Sequence, residues 1–180
     1  MIKKEKGLEE SEKSSHDIIH DVTLNALIAA LYFALTIAFQ PISFGAIQFR
    51  ISEILVLICF YRKDLCIGLT IGCVLSNAFS LSYWDMLIGS GATLISSLLM
   101  SYCCPFLFLA PLYPIIFNGL MVGAMLTWIY PVFPYYWQNA LTVAGGEAII
   151  LIVAYVIWLL LSKNKAFMRL LRPNVHYKLS

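Results

Sequence analysis

Apolar residues in this chain run in long blocks, and the blocks break at clusters of polar residues, proline and glycine. From residue 22 onward the blocks predict helices over 22–39, 49–61, 65–79, 86–102, 115–130 and 139–162. The connection 41–48 carries Pro41, Ser43 and Gly45. A tight turn at 62–64 (Arg62, Lys63, Asp64) separates the second block from the third. A loop over 80–85, a stretch with prolines and aromatics over 103–114 and an aromatic loop over 131–138 make the remaining breaks. Residues 1–21 are polar, mixed in sign and without apolar period, which predicts a disordered tail or a short surface helix and no signal peptide. Residues 163–180 form a basic tail. The blocks at 49–61 and 65–79 fall below the roughly 20 residues of a perpendicular membrane span. They either tilt little or stop at a cavity, and non-helical backbone at that depth must be covered by protein or line water.

Composition turns these blocks into a membrane reading. Of 180 residues, 61% are hydrophobic and 12% charged, and the mean hydropathy is +0.82. Soluble domains carry roughly 25% charged residues. Between Lys63 and Lys163 there is no Lys or Arg, and the acids are Asp64, Asp85 and Glu147 alone. No water-facing surface can be built from that stretch. The expected fold class is therefore an all-α membrane protein: a polar tail at 1–21, a six-transmembrane-helix domain at 22–162 and a basic tail at 163–180. The net charge of +2 gives no reason to expect nucleic acid as a partner, whereas membrane lipid is expected as the surroundings.

Basic residues orient the bundle. Lys3, Lys4, Lys6, Lys13, Arg62, Lys63, Lys163, Lys165, Arg169, Arg172 and Lys178 all fall on one side if the helices number six. By the positive-inside rule that side is cytoplasmic, with both termini inside. Arg50 is the one basic residue left over. The outer loops then hold Tyr83, Trp84, Tyr135, Tyr136 and Trp137, either as interface aromatics or as a lid over a ligand. The five cysteines have no metal-ligand spacing and read as small apolar residues, with Cys103 and Cys104 near the inner face, where thiols stay reduced. No metal and no cofactor are expected.

Four features carry functional chemistry. The first is a stripe of Ala26, Ala30, Ala34 and Ala38, four apart on one face of the first helix, beside Ala29. Small residues let another helix approach closely, and the stripe favours a partner's docking face over internal packing. The second is Arg50 with Glu53, three apart at the outer start of the second helix and able to pair. They serve either a structural salt bridge holding the first loop or a ligand. The third is Glu147, about nine residues into the last helix, on the order of 13 Å from the boundary at 1.5 Å per residue. An intramembrane carboxylate is a functional candidate by default, and Gly145 and Gly146 before it remove bulk that would keep a planar ligand away. The fourth is a set of amides, Asn77, Asn118, Gln138 and Asn139, each offering a donor and an acceptor. A carboxylate, amides and flat aromatic walls suit a purine-like base, whose adjacent N–H donors the acid accepts while rings stack on its faces. There is no P-loop motif, no HExxH and no GxSxG, so active uptake would need an energising partner.

The string from Pro41 to Glu53 (PISFGAIQFRISE), following an alanine-striped first helix, resembles the QueT family, and the resemblance extends over residues 22–162, with a looser match around Asn118 and Ala144 to Glu147. These are substrate-binding subunits (S components) of energy-coupling factor transporters in prokaryotic plasma membranes. The resemblance implies a six-helix S-component bundle. It implies that the alanine stripe docks on a transmembrane coupling subunit seated on two ATPase subunits, and that the chain is itself no enzyme. The implied substrate is a queuosine precursor: a 7-deazaguanine base such as the 7-cyano or 7-aminomethyl form, or queuine. It also implies a ligand site near the outer side, with Gln48, Tyr83, Trp84, Trp137, Gln138, Asn139 and Glu147 as lining. Other readings are an S component for another vitamin-like solute, an intramembrane enzyme, and a structural subunit without ligand. The enzyme lacks a histidine base at depth, because His16, His20 and His176 all lie in the tails.

Overall fold

The structure, a computed structural model, describes residues 2–43, 49–79 and 83–173. Among these residues there is no β-strand. Helix α1 runs over Ile2–Ala38 and α2 is the short turn Gln40–Ser43. A 3-10 segment, Ile51–Leu57, leads into α3, Ile58–Tyr61, and α4 follows at Leu65–Ala78. A wide π-type turn, Asp85–Gly89, opens α5, Ser90–Cys103. A 3-10 turn, Leu107–Leu109, precedes α6, Leu112–Trp128. The chain continues through α7, Tyr136–Ser162, and α8, Lys165–Leu171.

Four of the helical stretches are long and apolar enough to cross a membrane: Ser15–Ala38, Asp85–Cys103, Leu107–Trp128 and Tyr136–Ser162. Ile51–Tyr61 and Leu65–Ala78 are apolar but shorter. The 3-10 geometry partly offsets the short length, since its seven residues rise about 2.0 Å each, so that Ile51–Tyr61 reaches roughly 20 Å against a hydrocarbon core of about 30 Å. Its first residues therefore begin below the end of the bundle, and the extended Arg50 that precedes them is buried.

Several boundaries differ from the sequence expectation. Residues 2–21 continue α1 rather than forming a separate tail or short helix. They contain no proline to break it. Gln40–Ser43 is helical where a loop was expected, and α6 and α7 each start three residues earlier than the apolar blocks alone indicate. Pro111 and Pro114 lie in the α6 start region, and proline is accepted in a first turn because its missing N–H has no partner there. The basic tail forms α8, capped by the Asn164 side chain, which accepts from the Ala166 and Phe167 amides.

Close helix crossings rest on small residues. A Cβ on Gly68 would lie 2.4 Å from the Asn25 carbonyl oxygen, and one on Gly72 would lie 2.6 Å from that of Ala29. Asn25 also accepts the Gly68 amide at 2.8 Å, satisfying a donor in the first turn of α4. On the other side of the bundle, Gly119 and Gly123 of α6 meet Ala144 and Ala140 of α7. Because the neighbour at Gly72 is backbone, Gly72→Ala is expected to cost about 1–3 kcal/mol through overpacking. The matched Gly145→Ala, where a Cβ meets nothing within 4 Å, is expected to leave stability unchanged or slightly raised. Thermal unfolding of both variants in detergent checks this pair.

The internal crossing of α1 thus uses Ala29, which is buried, while Ala26, Ala30, Ala34 and Ala38 are all exposed. The apolar core, with Leu57, Phe60, Tyr61, Leu65, Met100 and Trp158, fills the half of the bundle at the basic 62–64 turn. That end is pinned by Arg62, whose Nε contacts both Asp64 carboxylate oxygens at 3.0 Å. Its Nη1 donates to the Leu171 carbonyl at 2.8 Å and its Nη2 to Asp21. Arg172 pairs with Asp17 at 2.6 Å, so α8 is held against α1. Four of the five cysteines are buried, as expected of small apolar residues, and Cys103 is exposed.

Candidate functional site

The opposite half of the bundle has a polar interior. Arg50, Ser52, Glu53, Asn77, Asp85, Ser90, Thr93, Asn118 and Glu147 are all buried there, contributed by the 3-10 segment and the residue before it, the π-type turn, and α4 to α7. Burying so many polar groups in an apolar bundle is costly unless they serve one another or a ligand.

Two carboxylates anchor this interior. Glu53 is fully buried, and its Oε1 accepts from the Tyr32 hydroxyl at 2.6 Å and from Thr93 Oγ1 at 3.4 Å. Tyr32 stands one turn before Thr36 on α1, and Thr36 bonds Ser52 at 2.7 Å, so α1 holds the 3-10 segment through two hydroxyls. Glu147 projects from the fourth turn of α7, and its Oε1 accepts from Asn118 Nδ2 of α6 at 2.6 Å. Among the described residues, Glu53 Oε2, Glu147 Oε2 and Asn118 Oδ1 have no hydrogen-bond partner. Buried acceptors left in this state cost about 1–3 kcal/mol each, and a donor-bearing ligand removes that cost. Glu147 lies within Coulombic range of both Arg50 and Glu53, so the two carboxylates belong to one electrostatic site.

Arg50 is fixed from the other side. Its guanidinium forms an ion pair with Asp85 at 3.6 Å and stays within Coulombic range of Glu53. The i,i+3 spacing lets Arg50 and Glu53 pair, and the structure keeps them within Coulombic range while the ion pair it records for Arg50 runs to Asp85. Asn77 Nδ2 donates to the Asp85 carbonyl at 3.0 Å and to Ser90 Oγ at 3.1 Å, tying the end of α4 to the start of α5. Gly89 makes room for this arrangement: a Cβ there would lie 3.1 Å from Asn77 Nδ2 and 3.3 Å from the guanidinium nitrogens.

The remaining sequence candidates sit elsewhere. Asn139 is buried but engaged in holding the preceding loop. Its Nδ2 donates to Thr127 Oγ1 and the Phe133 carbonyl, and its Oδ1 accepts the Phe133 amide. Gln138, Tyr83, Trp84 and Trp137 are exposed. Trp137 borders an apolar groove of about 170 Å³ between α6 and α7, away from the carboxylates. Gly145 faces outward rather than flanking a ligand beside Glu147, and Gly146 is buried. Gln48 lies outside the described residues.

Sequence reasoning missed Asp85, Tyr32, Thr93 and Ser90 as parts of this site. Asp85 had a legible signal, since it is one of three acids in a hundred-residue stretch and the first loop offers the single base able to meet it. Tyr32 and Thr36 had a weaker one, as polar residues four apart on the helix face that also carries Ile28 and Ala29.

Described residues that form no strand, present an apolar exterior and include four helices long and apolar enough to cross a membrane define a helical membrane protein. The model of the family described as QueT transporter matches residues 22–163, and the chain belongs to that transporter family. One similar relative is the queuosine precursor transporter QueT of Lactococcus lactis subsp. cremoris (strain MG1363), 41% identical over 78 residues. That match covers 42% of this chain and 46% of the relative, so the chain spans about half the length of the curated relative it matches. No solved structure matches the chain.

Proposed function

We propose that this chain is the substrate-capturing S component of an energy-coupling factor importer for a queuosine precursor. It takes a 7-deazaguanine base from outside the cell and docks on a transmembrane coupling subunit driven by two ATPase subunits. In this reading six helices cross the plasma membrane with both termini cytoplasmic. The short segments Ile51–Tyr61 and Leu65–Ala78 complete the crossings, and the eleven basic residues at the tails and the 62–64 turn lie on the inner side.

The observation that carries the proposal is the buried Glu147–Asn118 pair. The amide's donor is already given to the carboxylate, so the pair presents two free acceptors, Glu147 Oε2 and Asn118 Oδ1. A guanine-like edge offers the complement, a ring N–H beside an exocyclic amine. The name of the Lactococcus relative and the family assignment support the same class of ligand. The exposed alanine stripe supports the docking step, because that face is left uncovered by the described residues and small residues suit a contact that forms and breaks.

Mass spectrometry of the small molecule that co-purifies with the chain tests the proposal. A 7-deazaguanine is the expected result. A vitamin of another class, recovered at one equivalent, would replace the substrate reading and leave the S-component reading in place.

A further inference from the structure

Three carboxyl groups, Glu53, Asp85 and Glu147, are buried around one guanidinium, that of Arg50. Arg50 is the sole Lys or Arg between Lys13 and Arg62, none exists between Lys63 and Lys163, and among the described residues the ion pair recorded at these acids is that of Arg50 with Asp85. Arg50 is ion-paired with Asp85. Glu53 and Glu147 then share one interior, within Coulombic range of each other, each with one carboxylate oxygen unpartnered.

The two acids are not equivalent. Glu147 is coupled to an amide and offers two neighbouring acceptors, which suits a planar donor edge. Glu53 is held on Oε1 by the Tyr32 hydroxyl at 2.6 Å, with the Thr93 hydroxyl, shared with the Gly89 carbonyl, at 3.4 Å, and its second oxygen is left over. A carboxylate held by neutral donors, with a free oxygen and its nearby guanidinium shared with Asp85, is suited to accept from an ammonium group.

We propose that Glu53 is a specificity-determining residue that selects ligands bearing a positively charged amine, Glu147 and Asn118 meanwhile holding the neutral ring edge. The inference rests on the reading that the ligand is a 7-deazaguanine. Among such bases the aminomethyl form, a cation at neutral pH, is favoured over the neutral cyano form.

The test is a calorimetric titration of the full chain in lipid nanodiscs with 7-aminomethyl-, 7-hydroxymethyl- and 7-cyano-7-deazaguanine. The hydroxymethyl form is nearly the size of the aminomethyl form and uncharged, so it isolates the charge. The wild-type chain is expected to bind the aminomethyl base at least about tenfold more tightly than either neutral base, a difference of about 1.4 kcal/mol. Glu53→Gln is expected to bring the three affinities within about twofold of one another. Equal wild-type affinity for the charged and uncharged forms overturns the inference even if the variant fails to fold, and so does an unchanged preference in Glu53→Gln. Binding of none of the three bases would instead overturn the deazaguanine reading.

Discussion

Glu147→Gln is expected to weaken deazaguanine binding by about 1–3 kcal/mol, roughly 5- to 150-fold in affinity. The substitution keeps the side chain's length and shape but turns one acceptor into a donor. In the wild-type chain Asn118 Nδ2 donates to Oε1, and Oε2 is left to a ligand. In the variant one side-chain position carries an NH2 group. Whichever way the amide turns, it faces either the Asn118 donor or the ligand's own N–H groups with a donor of its own. Two donors in contact without an acceptor between them lose the bond and keep the desolvation cost. Asn139→Ala is the contrasting variant. Its amide serves the Thr127 and Phe133 loop, so it is expected to lower stability without a comparable change in affinity. Isothermal titration of both variants in detergent or nanodiscs separates the two roles, and unchanged affinity in Glu147→Gln would remove this residue from the site.

The second large effect is expected at the alanine face. Replacing Ala30 and Ala34 together by Trp should reduce uptake in the reconstituted transporter to background while substrate binding by the isolated chain stays at the wild-type level. Both residues are exposed, so the added indoles meet lipid in the free chain and have no internal neighbour to displace. They would instead hold a partner helix several ångströms away, where its backbone can no longer make the close packing that drives helix association in membranes. Ala29→Trp provides the control on the same helix. Ala29 is buried against Gly72, so this change is expected to unfold the α1–α4 contact and abolish binding as well as uptake. Wild-type uptake by the Ala30, Ala34 double variant would show that coupling does not use this face.

The sequence made the helical blocks legible because their apolar runs are long and their breaks are chemically distinct. It also exposed Glu147, Arg50, Glu53, Asn77 and Asn118, since a polar residue in an apolar block has few ways to be satisfied, and these five do converge. The partners were harder to read. Tyr32, Thr93 and Ser90 are hydroxyl residues, and inside a helix a hydroxyl has a carbonyl one turn back as its default partner. Thr93 does bond the Gly89 carbonyl at 3.2 Å while also reaching Glu53, and spacing alone cannot distinguish these uses. The Arg50–Asp85 pair joins residues 35 positions apart, a contact that helix packing decides and periodicity does not. Asn139 was misplaced for the opposite reason. An amide at the start of a helix after an aromatic loop reads equally well as a ligand contact or as a loop brace, and the hydrogen bonds show the brace.

The same distinction organises the function. At one end of the bundle buried charges are mutually consumed, as Arg62 is by Asp64, Asp21 and the Leu171 carbonyl. At the other end Glu53 Oε2, Glu147 Oε2 and Asn118 Oδ1 have no hydrogen-bond partner among the described residues. The first arrangement holds the fold together, whereas the second leaves a chemical demand for N–H groups that the described residues do not supply.

Titration of the purified wild-type chain with a 7-deazaguanine, alongside adenine, tests that demand most directly. Adenine has the size and flatness of the base but presents a ring acceptor where guanine presents a ring N–H. Saturable one-to-one binding of the deazaguanine, with adenine at least about a hundredfold weaker, is the predicted result. Equal binding of both bases, or heat from neither, would contradict the account.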